Sequence, residues 1–372
     1  MAPKTNLPGR AVDVEAGLER DQGKRYRSSA CLLSAQMVSI QGKEQFSGCL
    51  VGQCLGDALG FPVEGFPVDR CAPYVERLRT CGRKQAFAAS VDSPFGQYTD
   101  DSQLAREFMV SYAAIAHFDP ADYAARIRSI FAEDRIVGRG LATDQAARRL
   151  IAGVPWEEAG TPAPHAGNGT AMRAGPVGLL FDGDPEQMIR VACDQGRITH
   201  KDPRCSAGSV AIAGAVALAG RPGKFDVQAF VSQLGEWVRR FHEPFAGHVL
   251  QLPQWLALAP EEAAPAISRS GAPDFVDEWR WISPFVIPSV LWSLYSFLRT
   301  PEDYWETVCT AIAAGGDVDT TAAMAGAISG AHLGLEHLPP ELAQQLNDRG
   351  TSGFEELVEL AQRCHAIKTG NI

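Results

Sequence analysis

Basic clusters, paired cysteines, a secretory signal and strand-like alternation are all missing from this chain. No run of lysine or arginine stands against a formal net charge of -10, so attraction to nucleic acid or to an anionic membrane is disfavoured and neither is expected as a partner. Nine cysteines, an odd number, are scattered without a Cys-x-x-Cys pair, and they read as small buried hydrophobes in a reducing compartment. The segment from Met1 to Ser29 has no apolar signal stretch, and the Ala-rich run from Ser206 to Gly220 is too short to span a bilayer. A cytoplasmic protein is the expectation. No convincing run of alternating apolar and polar residues appears, so the expected fold class is all-α.

What is present is material for a large core. The chain has 372 residues, 45% of them hydrophobic and 21% charged. Residues 1–45 mix charge, proline and glycine and read as an N-terminal arm; residues 46–372 read as the folded domain, and nothing forces a second one. Helical periodicity runs through Ala105 to Ala116, Ala121 to Phe131, Thr143 to Ile151, Pro185 to Gln195, Ser206 to Ala219, Val227 to Phe241, Pro284 to Leu298, Tyr304 to Ala314 and Thr320 to Leu333. Loops are expected at Asp92 to Tyr98, Gly160 to Gly169 and the Pro-rich stretch Leu252 to Pro273.

Two segments carry glycine at every fourth position: Gly48, Gly52, Gly56 and Gly60, then Gly326, Gly330 and Gly334. On a helix that spacing clears a strip along one side where another backbone can approach, although each glycine costs about 1 kcal/mol against alanine.

Two short acidic runs lie far apart, Thr99-Asp100-Asp101 and Asp317-Val318-Asp319-Thr320, each followed by a helix-like stretch. In isolation, Thr-Asp-Asp is an ordinary helix start: Thr99 can accept a backbone N–H as N-cap, and carboxylates in the first turn suit the positive end of the helix dipole. Neighbouring side chains in a first turn diverge by about 100°, so Asp100 and Asp101 can serve two different ions, or an ion and the water it activates. Gly315 and Gly316 let the backbone before Asp317 approach a ligand. Four carboxylates and two threonine hydroxyls, if brought together, form an all-oxygen cage suited to Mg²⁺, Mn²⁺ or Ca²⁺ rather than zinc.

Three weaker candidates accompany them. Glu64 follows Pro62, which ends a helix and leaves the glutamate in a loop, able to swing onto a metal or a leaving group. The run Gly167 to Pro176 offers backbone N–H groups, an amide, a hydroxyl and the Arg173 guanidinium, a set that suits a pyrophosphate or a sugar. His200 can hydrogen-bond a ribose or phosphate oxygen.

Five segments in this order, GCLVGQCLGDALGFPVEG, YTDDSQLA, GNGTAMRAGPVGLL, ITHKDPRCSAGSVAIAGAVA and GGDVDTTAAMAGAISGAHLG, resemble the ADP-ribosylglycohydrolase superfamily over roughly Ser47 to Gly334. The resemblance implies a compact multi-helix domain whose cleft holds two Mg²⁺ or Mn²⁺ ions. Their ligands would be Thr99, Asp100, Asp101, Asp317, Asp319 and Thr320. It also implies that Glu64 matches a mobile-loop glutamate, that Asn168, Gly169, Thr170 and Met172 line the ADP-ribose cleft with His200 nearby, and that Gly316 lies close to the distal ribose. The metal motifs show no departure from the family pattern.

The expected activity is removal of ADP-ribose from modified protein side chains through an oxocarbenium-like state. Asp100 and Asp319 are assigned to metal and water, and Glu64 or Asp101 to acid/base work, the choice between those two left open. An arginine N-glycosidic bond is the preferred substrate, with serine-linked and free O-acetylated ADP-ribose as alternatives. The added arm motivates one further expectation: an immunity role, resembling that of some bacterial members, in which the arm blocks an ADP-ribosyltransferase toxin. Non-catalytic ADP-ribose binding and metal-dependent phosphoester hydrolysis are the competing classes.

Overall fold

The computed structural model describes residues 42–80, 95–271 and 281–371. Residues 1–41, most of the arm set apart in the sequence, lie outside the described residues, and so does the toxin-binding expectation that rests on them. Lys43 to Gln45 form the first turn of helix α1.

The glycine strips find each other. Helix α1 (Lys43–Gly60) lies antiparallel to a late helix, Val318–Leu333, with Gly48 facing Gly330, Gly52 facing Gly326 and Gly56 facing Ala322. A methyl group built on Gly56 would sit 2.1 Å from the Ala322 carbonyl oxygen, and one on Gly330 would sit 2.0 Å from the Gly48 carbonyl oxygen. Backbones this close leave no room for a Cβ, which is why the helix-propensity cost is tolerated at these positions. Both helices are buried on all sides over most of their length, as expected for segments without an amphipathic face.

Around that pair the chain winds α2 (Val68–Thr80), α3 (Asp100–Ile115), α4 (Pro120–Ala132), α5 (Leu141–Ile151), α6 (Gly175–Phe181), α7 (Pro185–Arg197), α8 (Pro203–Ala219), α9 (Val227–Arg239), α10 (Glu243–Trp255), α11 (Pro260–Ser268), α12 (Val286–Arg299) and α13 (Tyr304–Ala313); the partner of α1 is α14, and α15 (Phe354–Thr369) closes the chain. Shorter helical turns join some of them, and among the described residues there is no strand, in keeping with the all-α expectation. Isolated bridges pin the loops instead: Ile282 to Gly316, Gly167 to Phe285 and Thr161 to His200.

The Pro-rich stretch from Leu252 to Pro273, expected as loop, carries helix for much of its length: the end of α10 and all of α11. Pro244 and Pro260 fall in first turns, where a missing N–H costs nothing and the fixed φ favours helix. The His242 ring accepts the Phe245 N–H at 3.1 Å, and Glu262 reaches back to the Ala259 N–H at 3.2 Å. Burial of Val249, Leu252, Ala263 and Ile267 outweighs the interior prolines Pro253 and Pro265.

Candidate active site

Three helix ends converge at one place: the C-terminus of α1 and the N-termini of α3 and α14. A carboxylate at either N-terminus meets the positive end of its helix dipole. On α14, Asp317 stands at the N-cap, with Asp319 and Thr320 in the first turn. Gly315 and Gly316 approach it with φ of 72° and 90°, and a Cβ on Gly316 would fall 2.1 Å from the Ile282 carbonyl oxygen. The Asp317 N–H donates to that same oxygen at 2.9 Å. On α3, Thr99 is the N-cap, but its side chain does not cap the helix as the sequence suggested. Its hydroxyl stands 3.1 Å from Asp57 and 3.0 Å from Asp101 instead.

Asp57 takes over the capping from across the fold. Its carboxylate accepts the Thr99 N–H at 3.0 and 3.1 Å and the Ser102 N–H at 3.1 Å, satisfying donors that a helix start leaves unpaired. Sequence reasoning passed over this residue. The available signal was a lone carboxylate inside the otherwise uncharged run GCLVGQCLGDALG, because burying a charge there is costly without a partner.

Two groups of carboxylates result, each with oxygens within 4.8 Å of one another: Asp57, Asp101 and Asp319, and Glu64, Asp317 and Asp319. Asp319 belongs to both. The Asn168 amide donates to Asp317 and to the Ser289 hydroxyl, and the Thr320 hydroxyl lies 3.2 Å from Asp317. Asp100 lies beside these groups on the cleft wall, its N–H bonded to the Val137 carbonyl at 2.6 Å. Glu64 is the exposed member; its loop is tied to the Asp317 approach by Gly65 N–H to Gly316 O and Gly316 N–H to Phe66 O, both 2.8 Å.

Burial without counter-charge shapes the electrostatics. Burial pushes Asp57 up to about 7 against the pull of hydrogen bonds from Ser102 and Thr99. It likewise raises Asp317 to about 7 and Asp100 to about 6, with Glu64 adding repulsion to both. Asp101 and Asp319 are raised well above the usual carboxylate range by burial and by neighbouring carboxylates. No lysine or arginine among the described residues forms an ion pair with any of the six acids. Asp101 Oδ1 is buried with no hydrogen-bond partner at all. Orphaned, crowded, all-oxygen donors are what hard divalent cations require, so the residues present fit Mg²⁺ or Mn²⁺.

A cleft of about 330 Å³ opens over this floor, a size within the range of small-molecule sites. Glu64, Asp100, Asp101, Asp317, Asp319 and Thr320 line it together with Asn168, Gly169, Met172, His200 and the start of α5. Thr99, Thr170 and Gly316 are not part of the lining. Thr170 donates its hydroxyl to the Cys205 carbonyl at 2.7 Å, and the Gly316 N–H and carbonyl are taken by the Glu64 loop. Arg173, read in the sequence as suited to a pyrophosphate or sugar, points into the core: it is fully buried and bonded to Gln195 and Thr199. Gln53, unremarked in the sequence, ties the start of α3 to the segment before α6, its amide donating to the carbonyls of Asp101 at 3.0 Å and Met172 at 2.8 Å.

The described residues form an all-α fold that gathers carboxylates from three helix ends under a small-molecule cleft. The sequence profile of the ADP-ribosylglycohydrolase family matches residues 39–371, and the chain belongs to that family. It is 26% identical over 359 residues to ADP-ribosylhydrolase ARH3 of Gallus gallus, covering 87% of this chain and 93% of the relative. It is 26% identical over 298 residues to the ADP-ribosyl-[dinitrogen reductase] glycohydrolase of Rhodospirillum rubrum, covering 78% of this chain and 86% of the relative. A solved structure described as an ADP-ribosylglycohydrolase-related protein complex superposes with a TM-score of 0.65 at 25% identity, covering 88% of this chain and 98% of that one. No described helix is long and apolar enough to cross a membrane.

Proposed function

We propose that this protein hydrolyses the glycosidic bond joining ADP-ribose to a modified protein side chain, an arginine N-glycosidic bond in the first instance. The observation that carries the reading is the pair of carboxylate groups sharing Asp319 in a cleft that Asn168, Gly169 and His200 also line. Asp57, Asp101 and Asp319 would hold one Mg²⁺ or Mn²⁺, and Asp317 and Asp319 the other, with Asp100, Thr99 and Thr320 beside them and Glu64 within reach of the second. Bound there, the cations supply Lewis-acid polarisation and lower the pKa of a bound water.

The chain's own residues do the rest. The buried aspartates would fix the cations beneath a sugar whose anomeric carbon becomes oxocarbenium-like as the bond breaks. Asn168 holds Asp317 in register through its amide, and Gln53 holds the Asp101 turn against Met172. Between the two acid/base candidates, accessibility favours Glu64. It is exposed, whereas Asp101 is 2% exposed, with one oxygen enclosed and the other on the Thr99 hydroxyl. The residue is exposed as a whole, but its carboxyl reaches in to Asp319; partial desolvation there raises its pKa, with the Asp319 hydrogen bond pulling it back, which suits a group that delivers a proton to a leaving side chain.

The deciding assay offers arginine-, serine- and nucleic-acid-linked ADP-ribose to the wild type and to Asp319→Asn, in Mg²⁺, in Mn²⁺ and in EDTA. Intact ADP-ribose is the expected product, arginine-linked substrate the fastest, and both EDTA and the substitution should abolish release. Release of AMP or phosphate would make the protein a phosphohydrolase, and full activity in EDTA would end the metal reading.

A further inference from the structure

His200 is buried yet lines the cleft, so what it offers a ligand depends on which ring nitrogen carries the proton. Its Nδ1 lies 2.9 Å from the Thr199 hydroxyl. That hydroxyl also receives a hydrogen bond from Arg173 Nη2 at 2.8 Å, and a guanidinium can only donate. The Thr199 proton therefore has to go elsewhere, and two acceptors are within reach. The Gly196 carbonyl is 3.4 Å away and already accepts the N–H groups of Thr199 and His200, at 3.0 and 2.9 Å. His200 Nδ1 is closer and has no other partner among the described residues.

We propose that Arg173 and Thr199 are positioning residues forming a one-way hydrogen-bond relay, Arg173 to Thr199 to His200 Nδ1, which fixes His200 in the Nε2–H tautomer. His200 then presents one neutral donor to the cleft and recognises an acceptor oxygen of the ligand, a phosphate oxygen or a ribose ether oxygen, rather than a hydroxyl proton. Arg173 is itself held rigid: its Nε donates to Gln195 Oε1 at 2.8 Å and its Nη2 to the Gln195 carbonyl at 2.9 Å, and the Tyr123 ring lies 5.9 Å from its guanidinium carbon. The relay thus starts from a fixed donor. Burial first, and then the positive charge of Arg173, push His200 down to about 3, so the ring stays neutral through the physiological range. The proposal rests on the functional reading above for the identity of the ligand, and on geometry alone for the tautomer.

The test measures ¹⁵N shifts of labelled histidine in the ligand-free wild type, with the His200 signal assigned by its loss in His200→Gln. A protonated Nε2 and an acceptor Nδ1 are expected; the opposite tautomer overturns the relay. Thr199→Val should relax the tautomer and raise the KM and the ADP-ribose Kd about three- to tenfold, the loss expected for one hydrogen bond, with kcat little changed. Thr199→Ser should restore both. A Thr199→Val protein that keeps the wild-type tautomer and Kd overturns the relay as well. Should ADP-ribose fail to bind the wild type at all, the functional reading fails, and the tautomer measurement, made without ligand, still decides the relay.

Discussion

The metal-free protein should lose stability as pH rises, and Asp57 should account for a measurable part of it. Its carboxyl has an ordinary value of 3.8 and is pushed to about 7 in the fold, chiefly by burial. Below 3.8 both folded and unfolded chains hold the proton. Between the two values the folded chain keeps it while the unfolded chain gives it up, so unfolding releases a proton and stability falls with pH. Each pH unit in that window is worth about 1.4 kcal/mol, and the whole passage about 4 kcal/mol. That is a large share of the roughly 5–15 kcal/mol that stabilises a typical domain. The assay is urea unfolding of wild type and Asp57→Asn in EDTA from pH 4 to pH 8. Relative to the variant, the wild type should weaken by about 4 kcal/mol across the series. Adding Mg²⁺ or Mn²⁺ should cancel most of the loss at the alkaline end, because a cation replaces the proton as counter-charge. A wild type that gains stability on the variant between pH 4 and pH 7 in EDTA would refute the electrostatic account of the site.

Three other outcomes are expected. Gly56→Ala drives a methyl group toward the Ala322 carbonyl and should cost about 1–3 kcal/mol by forcing α1 and α14 apart, whereas Gly247→Ala, a helical position with nothing within 4 Å, should be neutral or stabilising by about 0.4–1 kcal/mol; thermal melts of both compare crowding with propensity directly. Glu64→Gln should lower kcat about 10²- to 10⁴-fold while leaving the unfolding midpoint within error, measured with saturating substrate; an unchanged kcat would move the acid/base role back to Asp101. Asp348 accepts from Arg106 at 2.7 Å and from Gln103 at 2.8 Å, both on α3; Asp348→Ala removes both bonds but leaves Arg106 its ion pair with Glu107 at 3.0 Å, and should cost about 1–3 kcal/mol in denaturant unfolding.

Local sequence was enough for the elements whose chemistry is local. The helix class follows from apolar periodicity, the two acidic helix starts from residue types that favour first turns, and room for a neighbouring backbone along each strip from glycine spacing, while the pairing of α1 with α14 is visible only in the fold. The Pro-rich stretch misled because composition does not say which prolines fall in first turns, or how much apolar surface the helices behind them bury. Thr99 misled for a related reason: a cap can be supplied by a side chain from elsewhere in the chain, and here Asp57 supplies it.

What the sequence determined by itself, then, was that two distant acidic helix starts carry oxygen donors of the kind hard cations take; it did not single out Asp57. Only the tertiary structure decided which of them meet: it joined Asp57 to Asp101 and Asp319, left Glu64 exposed at the edge, and turned Arg173 inward onto Gln195 and Thr199. The physical reason is that a carboxylate's partner, burial and pKa are set by chain segments hundreds of residues away. Those segments are brought within a few ångströms only when the glycine-lined helices close on each other.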